Sequence, residues 1–421
     1  MYADAHARKV APEQPPFAPR TLRIAVVTET YPPELNGVAL TVARFVEGLR
    51  QRNHQLELVR PRQGSADRGG DDPGLEEVLL RGMPIPCYPH LKMGLPARRA
   101  LERRWRSRRP DLVHIVTEGP LGWSALGAAS KLEIPVCSDF RTNFHAYSDH
   151  YGVGWLKKPV LAYLRSFHNR TRLTMVPTEA MREELAALGF RNLAVVSRGV
   201  DVRRFHPARR SQALREQWGV GPDDLVALYV GRVAAEKNLP VLFSAFAAMR
   251  AREPRARLVV VGDGPALAGL RARHPDVVFA GARSGIDLAT HYASGDVFLF
   301  PSLTETYGNV TVEAMASGLA VVAFDCAAAR AHIESGVNGM LAPCGDASAF
   351  DVAAAGLAIE RARMRALSAR ARASAEALGW ERVVLALEAQ LIGAAGAGHA
   401  AAQAGQPTAK VSRPTGAYGA A

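Results

Sequence analysis

Residues Pro301–Gly318 read PSLTETYGNVTVEAMASG, with Glu305 and Glu313 eight positions apart. The apolar run Val297–Phe300 before this stretch predicts a strand, Pro301–Gly308 a turn, and Asn309–Ser317 a helix stopped by Gly318 in the usual position after a helix C-terminus. One glutamate therefore belongs to a loop and the other to a helix. A strand, a glycine-containing turn and a helix N-terminus make a polar hollow with unpaired backbone N–H groups at a positive dipole end, which suits a phosphate-bearing ligand. Two carboxylates beside it can accept hydrogen bonds from sugar hydroxyls. On spacing alone, a helix-capping glutamate with a solvated neighbour explains the pair equally well.

On either side of this unit, apolar runs alternate with helical segments, twice over. The first round opens with LRIAVVT at Leu22–Thr28, continuous enough in apolar character to be a buried parallel strand, followed by a loop and the helix-period segment from Ala39 to Gln51. Strands are expected at Leu56–Arg60, Asp111–Val116, Ile134–Ser138 and Met175–Pro177, and helices at Ala97–Arg109, Leu121–Leu132, Trp155–Arg172 and after Thr178. The second round begins with Leu225–Val230 and continues through a helix at Leu239–Arg250 and strands at Leu258–Val261, Val277–Gly281 and Ala320–Phe324. Residues 348–377 read as Ala/Arg-rich helix. Strand, loop and helix units of this kind gather ligands beyond the C-terminal strand ends. There the sequence places Gly37, whose missing side chain admits a close backbone approach, then Glu118, then the loop Asp139–Tyr151 with Arg141, His145 and His150. In the second round Arg232 and Lys237 occupy a strand-to-helix turn, an arginine fork beside a compact charge of the kind a diphosphate requires. Gly262 stands in a weaker phosphate- or base-loop pattern.

The composition, 48% hydrophobic and 22% charged in 421 residues, is that of a globular chain long enough for two cores. No run approaches the roughly 20 apolar residues of a membrane-spanning helix, and no apolar signal segment is read at the N-terminus. Cys87, Cys137, Cys326 and Cys344 lack CxxC spacing, which fits a reducing compartment and argues against a zinc site; a cytoplasmic location is expected. The formal charge of +12 draws the chain toward something anionic: nucleic acid, a phosphate-bearing substrate or a membrane face. Nothing resembles a nucleic-acid-binding motif, so no nucleic-acid partner is expected. The seven arginines of Ala97–Arg109, with Leu101 and Trp105 one turn apart, fit either a helix lying on an anionic membrane or a solvated outer helix.

Glu305 and Glu313 match the E-x7-E signature of retaining glycosyltransferases of the GT-B fold, and TETYGNVTVEAMASG resembles family four of that group. ETYPPELNGV at 29–38, GRVAAEKN at 231–238 and VVGDGPAL at 260–267 agree in the same order, so that the resemblance covers residues 21–392. It implies an α/β architecture of two doubly wound, Rossmann-like domains facing across a cleft. An acceptor-binding domain is expected at 21–195, a nucleotide-sugar-binding domain at 196–379, a helix crossing back at 380–392, and disordered ends at 1–20 and 393–421.

The same resemblance implies that Glu305 holds the donor sugar and Glu313 the ribose. The remaining donor contacts are expected from Gly37, Arg232, Lys237, Gly262, Gly281, Arg283, Tyr307, Gly308 and Asn309, and acceptor contacts from Asn36, Glu118 and Asn143. No Asp-x-Asp motif occurs, so no metal ion or other cofactor is expected. The partners implied are a nucleotide-sugar donor and a lipid or glycan acceptor, at the inner face of the cell membrane. The residues around FDCAAA and SDFRTNFHAYSDHYG are most similar to GDP-mannose-dependent α-mannosyltransferases and to lipid glycosyltransferases that use UDP-sugars. A sugar-nucleotide epimerase of the same fold and an inactive nucleotide- or lipid-binding module are the competing readings.

Two departures from the family stand out. Relatives often carry two glycines where this chain has Asn36 and Gly37. They usually carry F-H-T where this chain has Phe140, Arg141 and Thr142, so the family histidine is absent. Arg141 is then expected to hold an anionic acceptor or donor group, and His145, four positions on, to contact the reacting sugar.

Overall fold

The computed structural model describes residues 21–34, 37–64, 67–85, 88–141, 157–303, 305 and 307–404. The strands of the first domain are β1 (Arg23–Val27), β2 (Gln55–Pro61), β3 (Asp71–Asp72), β4 (Leu75–Leu80), β5 (Gly82–Ile85), β6 (Tyr88–Gly94), β7 (Leu112–Ile115), β8 (Val136–Asp139), β9 (Leu173–Val176) and β10 (Leu193–Val195). Those of the second are β11 (Val226–Val230), β12 (Arg257–Val261), β13 (Val278–Gly281), β14 (Val297–Phe300), β15 (Ala320–Phe324) and β16 (Met340–Ala342).

Both sheets are wound in the same way. The first runs β10-β9-β8-β7-β1-β2-β4-β3 and the second β13-β12-β11-β14-β15-β16, every pairing parallel except β3 with β4. In each, the order reverses beside the first strand, between β1 and β7 and between β11 and β14. That reversal opens a crevice at the C-terminal strand ends, the place where doubly wound sheets bind ligands. The strands are apolar without alternation because helices cover both faces: β11, β14 and β15 are buried from end to end.

The C-terminal helix Trp380–Ala404 packs Val383, Leu387, Leu391 and Ala395 into the core of the first domain with Leu22, Phe45 and Val46. Gly48 allows this approach, since a Cβ there would stand 2.4 Å from a methyl of Val384. Buried Glu388 fastens it by accepting from Arg52 Nε at 2.6 Å and by meeting His54 Nε2 at 2.8 Å, while His54 Nδ1 accepts from the Leu22 amide. The helix runs twelve residues past the expected end at 392 (404 − 392). Leu391 and Ala395 bury themselves, and the alanines offset the roughly 1 kcal/mol that each helical glycine costs. The segment 348–377 is two helices, Ala347–Ile359 and Arg361–Glu376. Between 71 and 94 the chain forms β3 to β6, where no strand is expected from the sequence because the half-buried β4 carries no long continuous apolar run.

Candidate active site

The donor side is assembled from the two loops that leave β11 and β14. Lys237 ends a short 3-10 turn, Ala235–Lys237; Asn238 follows in the left-handed conformation and donates through Nδ2 to the Pro301 carbonyl at 3.2 Å, joining the loops. Across this join Lys237 Nζ donates to Glu305 Oε1, which also accepts from Ser302 Oγ at 2.8 Å. Gly308 at φ +87° caps the helix Asn309–Ala316, and Gly318 at φ +77° follows its end. Asn309 Oδ1 is buried without a partner among the described residues.

The loops after β11 and β12 touch backbone to backbone. Gly262, at φ +143°, lies so close that a Cβ there would stand 1.9 Å from the Gly231 carbonyl oxygen. Arg232 is exposed beside Glu236 at 3.3 Å. Gly281 has φ +75° and open space around it, and Arg283, exposed, donates to the Ala280 carbonyl and pairs with Asp287. Glu313 faces inward from its helix and accepts from Tyr292 Oη at 3.0 Å; burial pushes its carboxyl up to about 7. Tyr307 is buried, and its hydroxyl donates to the Arg198 carbonyl at 3.0 Å and meets His332 Nε2 at 2.8 Å. Its ring therefore braces the junction between the domains.

On the facing domain, Gly37 opens the helix Gly37–Gln51, and a Cβ on it would lie 3.0 Å from Arg198 Nη1 and 3.8 Å from Asn309 Nδ2. Glycine here keeps the two helix N-termini close. Glu118 is buried with Oε1 3.4 Å from His168 Nε2, and His168 Nδ1 meets Ser138 Oγ at 2.9 Å. Glu29, whose carboxyl burial pushes up to about 7, accepts from the Leu121 amide and caps the helix Pro120–Lys131. His114 stands in the core, its Nε2 3.3 Å from Asp139 Oδ1. Asp139 also accepts from Arg141 Nε at 3.2 Å; burial opposes its charge, yet Arg141 and His114 hold it at about 2. Asn36, Asn143 and His145 lie outside the described residues.

Arg198 is not among the residues expected from the sequence; an arginine between the apolar Val195–Val196 and Val200 is the available signal. Nor is Glu29 expected there as a carboxyl shaped by burial. A cleft lined by Arg210, Asp296, Arg361 and Arg365 lies at the opposite, N-terminal ends of β11, β14 and β15.

Two family models match in tandem, Glycosyltransferase Family 4 over residues 35–204 and Glycosyl transferases group 1 over residues 224–358. A GDP-mannose-dependent alpha-mannosyltransferase of Mycobacterium tuberculosis is 36% identical over 329 residues, which is 77% of this chain and 85% of that one. The chain belongs to glycosyltransferase family 4. This glycosyltransferase is also 26% identical, over 76% of its length and 84% of the relative, to an alpha-monoglucosyldiacylglycerol synthase of Acholeplasma laidlawii. In fold it matches the sucrose-phosphate synthase of Thermosynechococcus elongatus with a TM-score of 0.71 at 19% identity, over 89% of this chain and all of the other. The fold is GT-B, and the reaction class is sugar transfer from a nucleotide-sugar to a glycan or lipid acceptor. Among the described residues no helix is long and apolar enough to cross a membrane.

Proposed function

We propose that this glycosyltransferase moves a mannosyl unit from GDP-mannose to a lipid or glycan acceptor with net retention and without a metal ion. The observation that carries the reading is the meeting of Lys237 and Glu305 at the strand-order reversal of the second domain, in a chain 36% identical to an enzyme named for GDP-mannose. In this account the entering diphosphate takes Lys237 from Glu305 and recruits Arg232. Glu305, released, accepts from the sugar hydroxyls, while Glu313 holds the ribose. As the bond to the diphosphate breaks, the anomeric carbon gains oxocarbenium character, and positive groups at the departing oxygen stabilise the charge that develops there. The acceptor oxygen attacks from the face that the diphosphate leaves, and its proton passes to the departing phosphate.

His145 supplies a polar contact to the sugar in this scheme; that part rests on the sequence, and His145→Ala should cost at least about tenfold in turnover. The similarity to a monoglucosyldiacylglycerol synthase favours a second reading, a UDP-sugar donor with a lipid acceptor. Incubation with a panel of GDP- and UDP-sugars, followed by product mass with lipid acceptors, separates the two: GDP release with a gain of one hexose supports the first. Release only from UDP-sugars overturns the GDP-mannose assignment.

Association with an anionic membrane belongs to the same proposal. Of the helix Arg98–Ser107, Arg104 is committed to Glu57 and Glu76, whereas Arg99, Arg103 and Arg106 are exposed, with Arg109 just beyond. Liposome binding should require anionic lipid and weaken as salt rises. Equal binding to neutral liposomes at low salt would reduce the segment to a solvated outer helix.

A further inference from the structure

The scheme leaves two buried arginines without a task. Arg141 and Arg198 are 2% and 6% exposed. Arg141 leaves the C-terminal end of β8, and its guanidinium lies 5.1 Å from the centre of the Phe45 ring; neither Nη1 nor Nη2 has a partner among the described residues. Arg198, beyond β10, lies 5.7 Å from the centre of the Tyr307 ring, and its Nε is likewise unpartnered. Its Nη1 reaches the start of the helix Gly37–Gln51, and Asn309, which opens a helix of the other domain, borders the same space. Burial first, and then the nearby charge of Arg141, lowers the Arg198 guanidinium to about 10. Arg198 thus lies against two helix N-termini and within reach of the charge of Arg141, which is itself held by the carboxylate of Asp139, approached also by His114.

Such an arrangement does not serve stability. A buried charge whose hydrogen-bond donors are unmet opposes folding, and like charges placed together add to that. The missing element is an anion that fills the open donors, and the planar fork of arginine matches a carboxylate or a phosphate. Arg141 belongs to the acceptor-side domain, whereas Arg232 and Lys237 stand on the facing one.

We infer that Arg141 and Arg198 together bind a carboxylate or phosphate group carried by the acceptor, beside the donor site that Gly37 and Asn309 also border. This inference rests on the nucleotide-sugar reading above, and it adds that the enzyme selects anionic acceptors.

The full-length chain is saturated with GDP, and binding of inorganic phosphate, galacturonate and uncharged galactose is measured by ligand-observed NMR, with GDP affinity by calorimetry. Phosphate or galacturonate should bind the wild type and galactose should not. Arg141→Gln and Arg198→Gln should each weaken anion binding at least about tenfold and leave GDP affinity within about threefold. Arg198→Gln should also keep or raise the melting temperature, since it removes an unmet buried charge. Arg141→Lys serves if Arg141→Gln does not fold, and should weaken binding in the same direction. A tenfold loss of GDP affinity in either variant places the pair in the diphosphate site and overturns the inference. Anion binding unchanged by both variants, or galactose binding as well as galacturonate, overturns it equally. If the wild type binds no nucleoside diphosphate at all, the proposed donor reading fails, and the anion arms, repeated without nucleotide, still decide the role of the pair.

Discussion

Lys237 and Glu305, sixty-eight residues apart, meet across the seam between β11 and β14, with side chains 17% and 16% exposed. Each neutralises the other. In the proposed scheme a nucleotide-sugar supplies a phosphate to the lysine and hydroxyls to the glutamate, so that binding is an exchange of partners and neither charge is left bare in a partly dry site.

Replacing Lys237 tests the cationic half of that exchange. Lys237→Ala should lose roughly 100-fold or more in turnover, the scale of removing one strong donor from a site of developing negative charge. Lys237→Arg, which keeps the charge but changes its shape, should recover part of it. Steady-state rates at saturating donor settle the matter, and a loss under threefold for the alanine variant would contradict the role.

With Arg232 and Lys237 supplying the positive charge, turnover should survive excess EDTA. Abolition by EDTA with recovery on adding manganese would show that the diphosphate is neutralised by a metal ion instead.

Glu313 makes a prediction about pH. Burial raises its carboxyl in the folded chain to about 7, from an ordinary value of 4.5. The folded state therefore holds more protons than the unfolded state between those values, and stability falls as pH rises through that window. Glu313→Gln should melt higher than wild type at pH 8, by the equivalent of about 1–3 kcal/mol, with the advantage fading toward pH 5. A constant difference across that range would mean that the carboxyl is not held in its neutral form. Glu29 titrates in the same window, so the difference between the two proteins, rather than either curve alone, carries the information.

Gly262 tests the backbone contact that shapes the donor loops. Its φ of +143° and the 1.9 Å separation between a would-be Cβ and the Gly231 oxygen leave no room for a side chain. Gly262→Ala should cost roughly 2 kcal/mol or more and weaken nucleoside diphosphate binding. Wild-type stability and affinity would show that the two loops are not packed as described.

Much of this architecture is legible in the residues, for a physical reason. Strands covered on both faces must be apolar throughout, so Val226–Val230 and Val297–Phe300 announce themselves, and the helix Leu239–Arg250 begins and ends where its sequence pattern does. The turn that follows Phe300 is legible for the same reason, with Gly308 and Gly318 both at positive φ. β4, half-buried along its whole length, gives no such run. The end of the last helix is hidden because Gly393 and Gly396 imitate a tail, while Leu391 and Ala395 are bound to a core contributed from far earlier in the chain. Arg198 is illegible because its meaning comes from Arg141, Gly37 and Asn309, which only the tertiary fold brings near it.

The central claim is that Glu305 holds the donor sugar and Lys237 its diphosphate, and Glu305→Gln tests it most directly. Turnover of the nucleotide-sugar and calorimetric affinity for the nucleoside diphosphate are measured on the same preparation. The account predicts a fall in turnover of about 100-fold or more with the diphosphate dissociation constant within about threefold of wild type, because only the contact to the sugar is altered. A collapse of diphosphate binding, or turnover close to wild type, would contradict it.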